Sequence, residues 1–365
     1  MIAAFDAIVR QWNVIAFIAG LMGISAAADE SGAFGWITAT LLAGARGSRR
    51  RLFVYLFLTG ALLTLALSND ATAIVLTPIV CRAVVQRDDL DAKPFLLACA
   101  FVANTASFGL PFSNPTNVLI LPHPQLMPYV ERLGVPQLAA IAISLGIFLF
   151  FFRRQLAGRY EAPPSHALGG REACMLLVLA GIALAYVVAL AHGWALGPVA
   201  LVGAAAAIAV AGNVVACLRH VSWSTLALLA ALFVVFDVLD RSGLVTAALH
   251  GIEAVSRDGT LALYAIAAGG AALLSNLFNN LPVAVAASYV SAHNGLARLS
   301  YPLIAGVALG PNLLVFASLS TILWAGIVRR YGVRVSAWEY LKLGALVVPP
   351  CLAVAVLWLA LTAGS

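Results

Sequence analysis

Residues 68–80 read Ser68-Asn-Asp-Ala-Thr-Ala-Ile-Val-Leu-Thr-Pro-Ile-Val80 and begin halfway along an apolar run over residues 52–85. The run is too long for one bilayer crossing, which needs about 20 residues, and its polar cluster lies at the centre. The sequence therefore predicts two half-length helices that meet at a polar turn inside the membrane, a re-entrant helical hairpin. The run over 260–292 has Ser275-Asn276 and Asn279-Asn280 at its centre and predicts a second hairpin.

The composition places the whole chain in a membrane. Of its 365 residues, 62% are hydrophobic and 10% are charged, whereas soluble domains are near half apolar and a quarter charged. The net charge of +6 is explained by basic residues in cytoplasmic loops, so nucleic acid is not an expected partner. The five cysteines form no C-x-x-C pair, and neither a disulfide framework nor a thiolate metal site is indicated.

Two further segments, 94–121 and 301–328, predict transmembrane helices that are broken in the middle. The first is interrupted by Gly109-Leu-Pro-Phe-Ser-Asn-Pro-Thr-Asn117 and the second by Gly310-Pro-Asn312. Simple spans are expected over 12–28, 136–152, 173–192, 195–218, 224–239 and 343–363. The predicted fold class is an all-α polytopic membrane protein.

The order of these elements repeats along the chain. The strings Asp29-Glu-Ser-Gly32 and Asp240-Arg-Ser-Gly243 are separated by 240 − 29 = 211 residues. The two Ser-Asn pairs are separated by 275 − 68 = 207 residues, and the prolines Pro94 and Pro302 by 302 − 94 = 208 residues. We expect repeat 1 over 1–152, a connecting loop with two spans that open repeat 2 over 153–221, and the remainder of repeat 2 over 222–365. Five crossings separate the starts of the repeats, so the second repeat is inverted. Inverted repeats with broken helices are typical of transporters, which bind substrate near the midplane.

The distribution of basic residues predicts the orientation of the chain. Sixteen lie on one side of the predicted topology: Arg46, Arg49, Arg50, Arg51, Arg82, Arg87, Lys93, Arg153, Arg154, Arg159, Arg171, Arg219, Arg329, Arg330, Arg334 and Lys342. Only Arg10, Arg132, Arg241, Arg257 and Arg298 lie on the other. The first side is therefore assigned to the cytoplasm, and both termini and the Asn294 loop are expected outside.

The polar residues at the four breaks are the candidate site. Asp70 is an intramembrane carboxylate, which is costly and by default functional, although an N-cap role would also place Asp there. The candidate substrate-binding residues are uncharged hydrogen-bonding groups: Ser68, Asn69, Thr72, Ser113, Asn114, Thr116, Asn117, Ser275, Asn276, Asn279, Asn280 and Asn312. Their alternative role is to hold helices together by hydrogen bonds in lipid.

Other chemistries lack sequence support. No Lys or Arg stands at the breaks, which argues against a site for a multiply charged anion. No H-E-x-x-H, G-x-S-x-G or G-x-x-x-x-G-K-[ST] motif is present, so we expect no enzyme activity. No cofactor or metal is expected.

At these residues the chain resembles the arsenite efflux permeases of the ArsB/NhaD branch of the ion-transporter superfamily. The resemblance is carried by Asp29-Glu-Ser-Gly-Ala-Phe34, the 68–80 segment, Asn104-Thr-Ala-Ser107, Ser113-Asn-Pro-Thr-Asn117, Ser275-Asn-Leu-Phe-Asn-Asn-Leu-Pro282 and Leu309-Gly-Pro-Asn-Leu313. It implies proton-driven export of arsenite or antimonite across the bacterial cytoplasmic membrane, with Asp70 as the proton-coupling carboxylate. It also implies a homodimer and a cytosolic ATPase partner.

Three departures from that family leave alternatives open. The family has two helices before its first span that have no counterpart before Trp12, and it often has an acidic residue where Ala308 stands. After Gly-Pro-Asn the family usually has Thr-Pro-Ile-Gly-Ser, where this chain has Leu313-Leu-Val-Phe-Ala-Ser318. The alternatives are a sodium/proton antiporter or organic-anion carrier on the same scaffold, or a shortened homologue that does not transport.

Overall fold

A computed structural model describes residues 9, 11–85, 87–164, 167–243, 260–293 and 296–363. Over these ranges the ordered elements are helices, with a single isolated bridge between Ser48 and Arg159. Six of the described helices are long and apolar enough to cross a membrane. The predicted all-α membrane fold is confirmed.

The first half of the chain contains seven α-helices among its described residues: α1 (Trp12–Glu30), α2 (Ala33–Gly44), α3 (Arg49–Ala66), α4 (Asn69–Val84), α5 (Ala92–Thr105), α6 (Pro115–Ile120) and α7 (Leu126–Phe151). Three helices follow: α8 (Gly170–Ala191), α9 (Leu196–Ala211) and α10 (Val214–His220). The last described helices are α11 (Trp223–Arg241), α12 (Thr260–Phe278), α13 (Asn280–Ala292), α14 (Ser300–Leu309), α15 (Leu319–Arg330) and α16 (Ala337–Leu361).

Both predicted hairpins and both predicted broken helices are present. Helices α3 and α4 form the first hairpin, and α12 and α13 form the second. Helices α5 and α6 are the halves of the first broken helix, and α14 and α15 those of the second. The division into 1–152, 153–221 and 222–365 stays a prediction.

Several predicted boundaries differ from those observed. The expected span 195–218 ends as α9, because Gly212 adopts a left-handed φ of 70° and Asn213 caps a new helix, α10. The expected span 136–152 starts ten residues earlier, at Leu126, and continues through Pro136. The Asn294 loop, and residues 244–259 after the second Asp-Arg-Ser-Gly string, lie outside the described residues.

The hairpins and broken helices exchange partners between the two repeats. Helix α4, the second half of hairpin one, packs on α15, the second half of broken helix two. In the same way α13 of hairpin two packs on α6 of broken helix one. Within each repeat the first halves also pack together, since α3 contacts α5 and α12 contacts α14. This reciprocal packing is the arrangement that an internal two-fold relation produces.

Helices α1 and α9 pack at very short range. A Cβ atom on Gly20 would lie 2.5 Å from the backbone carbon of Ala200, and one on Gly197 would lie 2.5 Å from the Asn13 carbonyl oxygen. Small residues allow such an approach, and close packing is a principal source of helix association in lipid. The contact joins the first span of the chain to the connecting helices.

The loops assigned to the cytoplasm by their charge lie together on one face. Tyr160 donates its backbone N–H to the Gly47 carbonyl at 2.8 Å, and Glu161 donates its N–H to Asp89 at 2.8 Å. Lys93 and Glu339 form an ion pair at 2.8 Å. These contacts bring four parts of the chain to one side, in agreement with the predicted topology.

Candidate functional site

A small cavity lies where the two hairpins and the two broken helices meet. Its volume is about 20 Å³, room for one water-sized species. The lining residues come from α1, α4, α6, α11, α13 and α15: Ile18, Asn69, Asp70, Asn114, Pro115, Thr116, Thr225, Asn280, Leu281 and Leu319. Five of the predicted site residues, Asn69, Asp70, Asn114, Thr116 and Asn280, are therefore brought together.

Asp70 lies between the starts of two half-helices. It stands in the first turn of α4 and is half-buried. Its carboxylate accepts hydrogen bonds from the hydroxyl and the backbone N–H of Ser320, in the first turn of α15. Helix N-termini favour negative charge because their first N–H groups lack partners within the helix. The carboxylate of one repeat thus supplies an acceptor to a half-helix of the other.

The neighbouring Asn69 reinforces the same contact between repeats. Its Nδ2 donates to the Ser320 hydroxyl at 3.2 Å. Its Oδ1 is buried and accepts no hydrogen bond. A buried oxygen of this kind is costly unless a ligand or a water molecule donates a hydrogen bond to it. Asn69 therefore presents a free acceptor beside the cavity.

The second half of broken helix one contributes two further polar residues. Asn114 caps α6, since its Oδ1 accepts from the Thr116 N–H at 3.0 Å, and its Nδ2 donates to the Ser107 hydroxyl at 3.2 Å. The Thr116 hydroxyl is buried and has no partner. It is a second hydrogen-bonding group left available at the cavity.

The second hairpin turns at Asn279, not at its Ser-Asn pair. Asn279 has a positive φ of 74° and caps α13 by accepting from the Leu281 N–H at 3.2 Å. The helix therefore restarts at Asn280, and the equivalent residue of hairpin one is Asn69, where α4 starts. This equivalence has an offset of 280 − 69 = 211 and pairs Asp70 with Leu281. At equivalent positions of the two hairpins, the cavity therefore has a carboxylate from hairpin one and an apolar side chain from hairpin two.

The other predicted residues do not line the cavity, and their hydrogen bonds hold the breaks together. Thr72 accepts from Thr64 at 3.0 Å and donates to the Ser68 carbonyl at 3.0 Å. Ser275 donates to the Ala271 carbonyl at 2.8 Å. Remaining contacts of this kind are Ser113 to the Ser107 and Leu110 carbonyls, Asn117 to the same two carbonyls, Asn276 to the Ala272 and Gly310 carbonyls, Asn279 to the Phe316 carbonyl, and Asn312 to the Thr105 hydroxyl.

Gln137 supports the first break and was not predicted from the sequence. Its Oε1 accepts from the N–H groups of Phe108 and Gly109 at 2.9 and 2.8 Å, and its Nε2 donates to the Thr105 carbonyl at 2.6 Å. These are backbone groups that the broken helix leaves without helical partners and that lipid cannot satisfy. One buried side chain on α7 satisfies three of them.

Ser320 and Thr225 were also missed. Ser320 belongs to the string Ser318-Leu-Ser-Thr321, in which Ser318 and Thr321 form a capping box. An S-x-x-T string that restarts a helix after Gly310-Pro311 could have pointed to it. Thr225 gives no such signal, because it is one hydroxyl in an otherwise ordinary span.

The chemistry available at the cavity is hydrogen bonding by neutral groups around one ionisable group. Its lining, as far as the structure describes the chain, includes no Lys, Arg or His and no second carboxylate. Amides and hydroxyls both donate and accept hydrogen bonds. The arrangement suits a small neutral polar solute together with a proton.

Known membrane proteins are similar over nearly the whole chain. An arsenical pump membrane protein of Yersinia enterocolitica is 29% identical, with 96% of this chain and 86% of that protein covered. The arsenical pump membrane protein of Escherichia coli strain K12 is 28% identical over the same shares. An uncharacterised transporter of Mycobacterium tuberculosis is 27% identical, again over 96% and 86%.

The fold is also that of a solved transporter. The Alcanivorax borkumensis YdaH transporter superposes with a TM-score of 0.63 over 99% of this chain and 87% of that chain, at 14% sequence identity. The family model described as citrate transporter (CitMHS) matches residues 1–319. This chain is therefore a multi-pass membrane transporter that belongs to the CitMHS family.

Proposed function

We propose that this transporter exports arsenite or antimonite across the bacterial cytoplasmic membrane in exchange for protons. The observation that carries the proposal is the cavity in which Asp70 meets four uncharged amide or hydroxyl residues: Asn69, Asn114, Thr116 and Asn280. A proton carrier and a set of neutral hydrogen-bonding groups are thereby combined between the two repeats, where alternating access changes exposure.

The substrate chemistry follows from the unpartnered groups. Arsenite is a neutral trihydroxide, As(OH)₃, at neutral pH, and each hydroxyl both donates and accepts hydrogen bonds. The buried Asn69 Oδ1 and Thr116 Oγ1 have no partner and are acceptors for such hydroxyl groups. The names of the Yersinia and Escherichia relatives support the same substrate.

The cavity in this conformation is smaller than a trihydroxide, so binding requires the hairpins to separate from the broken helices. Asn69 and Asp70 move with hairpin one, and Asn114 and Thr116 with broken helix one. Separation exposes all four groups to one side of the membrane. Proton binding at Asp70 on the acidic side then accompanies release of the solute there.

An organic-anion carrier is the second candidate, because the family description names citrate. Carboxylate groups are usually recognised by Arg and Lys side chains. The described lining of the cavity has neither, and Asp70 would repel a tricarboxylate. The neutral substrate therefore fits this site better than an anion does.

Transport measurements test the proposal. Expression in an arsenite-sensitive bacterial host is expected to lower arsenic accumulation. Everted membrane vesicles with an acidic interior should take up arsenite, and collapse of the pH gradient should stop the uptake. Uptake of citrate without arsenite, or proton movement driven only by sodium, would overturn the proposal in favour of the organic-anion carrier or the sodium/proton antiporter. Normal accumulation with verified insertion would favour the non-transporting homologue.

The homodimer and the cytosolic ATPase partner stay predictions from the family resemblance. Cross-linking in native membranes and co-purification with an ATPase subunit are the corresponding measurements. Protons, arsenite and membrane lipid are the partners that the proposed cycle requires.

A further inference from the structure

We propose that Ser320 is a positioning residue that makes the contact between the two repeats depend on the protonation of Asp70. The inference rests on the proposed proton coupling and names a residue that the coupling requires. It concerns the joint between hairpin one and the second half of broken helix two, where α4 packs on α15.

Three groups converge on Ser320 at this joint. Its side chain is fully buried. Its hydroxyl and its N–H both donate to the Asp70 carboxylate, and its hydroxyl accepts from Asn69 Nδ2 at 3.2 Å. Ser318, the N-cap of α15, lies 3.1 Å from the Ser320 hydroxyl. Every polar link across the joint that the structure describes for these residues passes through Ser320.

The ionised and neutral forms of Asp70 use this serine differently. A carboxylate only accepts, so the hydroxyl must donate to it, and hydrogen bonds to an ionised group are about twice as strong as neutral ones. A protonated carboxyl group can donate, in which case the Ser320 hydroxyl turns and accepts. The joint is therefore tight when Asp70 is ionised and weaker when it is protonated. Protonation thus favours separation of hairpin one from α15.

Among the residues that the structure describes, no charged group competes with Ser320 as a hydrogen-bonding partner of Asp70. The other residues that face the cavity are neutral, on α1, α6, α11 and α13 alike. The charged residues of the helices packed around Asp70 stand toward their ends: Asp29 and Glu30 on α1, Arg49, Arg50 and Arg51 on α3, Arg82 on α4, Lys93 on α5, Asp237, Asp240 and Arg241 on α11, and Arg329 and Arg330 on α15. Helices α6 and α13 carry none. Along α15 the nearest of these, Arg329, is nine residues or about 14 Å from Ser320, whereas Ser320 contacts Asp70 directly.

Infrared spectroscopy of the purified transporter tests the inference without any substrate. The protonated carboxyl stretch of Asp70 is identified as the band that Asp70→Asn removes, and it is followed against pH. Ser320→Val and Ser320→Thr form the informative pair. The two side chains have nearly the same shape, but threonine keeps the hydroxyl where valine has a methyl group. Ser144→Ala is the control, since Ser144 is a buried serine without a partner on α7.

Loss of the hydroxyl removes a donor to the ionised form, so Ser320→Val should move the half-protonation pH of Asp70 upward by about one unit. Ser320→Ala should do the same, which keeps the test valid if the valine does not fold. Ser320→Thr and Ser144→Ala should titrate like the wild type. Identical titration of the valine, alanine and wild-type proteins overturns the inference, as does an Asp70 band that is absent at every pH. A shifted band without arsenite transport would instead count against the proposed function.

Discussion

Asn104 donates from its Nδ2 to the Oδ1 of Asn312 at 3.1 Å, and the two residues are 208 positions apart. The offset is the one that separates Pro94 from Pro302, so the bond joins equivalent residues of the two repeats. Asn312 in turn donates to the Thr105 hydroxyl at 2.9 Å. An amide pair of this kind marks the place where the internal symmetry axis passes between the broken helices.

The Asn104–Asn312 pair should couple the stabilities of the two repeats. We expect Asn104→Ala and Asn312→Ala each to destabilise the protein, with an interaction energy of about 0.6 kcal/mol and at most about 1.7, as for other hydrogen bonds between membrane helices. Unfolding of the single and double variants in mixed micelles measures it. Strict additivity would show that the pair carries no coupling.

Asp70→Asn should separate proton coupling from folding. Asn has nearly the shape of Asp and is also a good residue for a helix start, so insertion and melting should remain close to wild type. Arsenite uptake driven by a pH gradient in everted vesicles should fall to the background, while exchange of bound arsenite persists. Gradient-driven uptake at the wild-type rate would reduce Asp70 to a capping residue.

Gln137→Leu should be among the most damaging substitutions outside the cavity. It leaves the N–H groups of Phe108 and Gly109 and the Thr105 carbonyl without partners, at about 1–3 kcal/mol for each unsatisfied group. Gln137→Glu keeps the acceptor for both N–H groups and should lie between the leucine variant and wild type. Thermal melting in detergent gives the order, and equal melting of both variants would contradict it.

The predicted topology can be checked by labelling from each side. Single cysteines at Arg50 and Arg298, both exposed, should react from the cytoplasm and from outside respectively. The background must lack the five native cysteines, of which Cys174 is exposed. Reaction of both positions from one side would exclude the inverted arrangement.

Asp89 should hold together the loops that are predicted to be cytoplasmic, except in acid. Hydrogen bonds from Arg87 and from the Glu161 N–H keep the pKa of Asp89 well below its usual range. Its stabilising contribution is therefore complete above the ordinary Asp pKa of about 3.9 and lost as the pH falls through the lowered value. For a partly exposed ion pair this is at most about 1 kcal/mol.

Asp89→Asn should accordingly show faster proteolysis of the loop at residues 153–161 at neutral pH. The difference between variant and wild type should shrink as the pH is lowered below about 4. Asp88→Asn, one residue away, is the matched control. A difference that grows in acid would reverse the assigned sign.

The helix breaks were predictable because they interrupt long apolar runs with polar residues, Gly and Pro. Ser68-Asn69-Asp70 and Gly310-Pro311 could hardly lie inside a continuous lipid-facing helix. The register of hairpin two was not predictable in this way, because Ser275-Asn276 resembles the first tip while the turn forms at Asn279, three residues later. In hairpin two, the residues that resemble the first tip in sequence are therefore not the residues at which the helix restarts.

The sequence can mark Ser320 as part of a helix start, but it does not show which residues Gln137 and Ser320 contact across the fold. Gln137 and Ser320 are single polar residues whose roles depend on helices that lie far away in the chain. Of the twelve proposed substrate-binding residues, four line the cavity and the others do not, and residue type does not distinguish the two groups. Which residues face the cavity depends on the tertiary packing, which no local pattern encodes.

The pairing of Asp70 with Leu281 has a consequence for the balance between the inward-facing and outward-facing forms of the transporter. If the two repeats were identical, the inward-facing and outward-facing forms would be related by the two-fold rotation and would have equal free energies. A carboxylate on one hairpin and a leucine on the other remove that degeneracy, because only one of the two forms rearranges around a titratable group. The pairing therefore predicts that the relative populations of the inward-facing and outward-facing forms depend on the pH of the compartment that Asp70 faces.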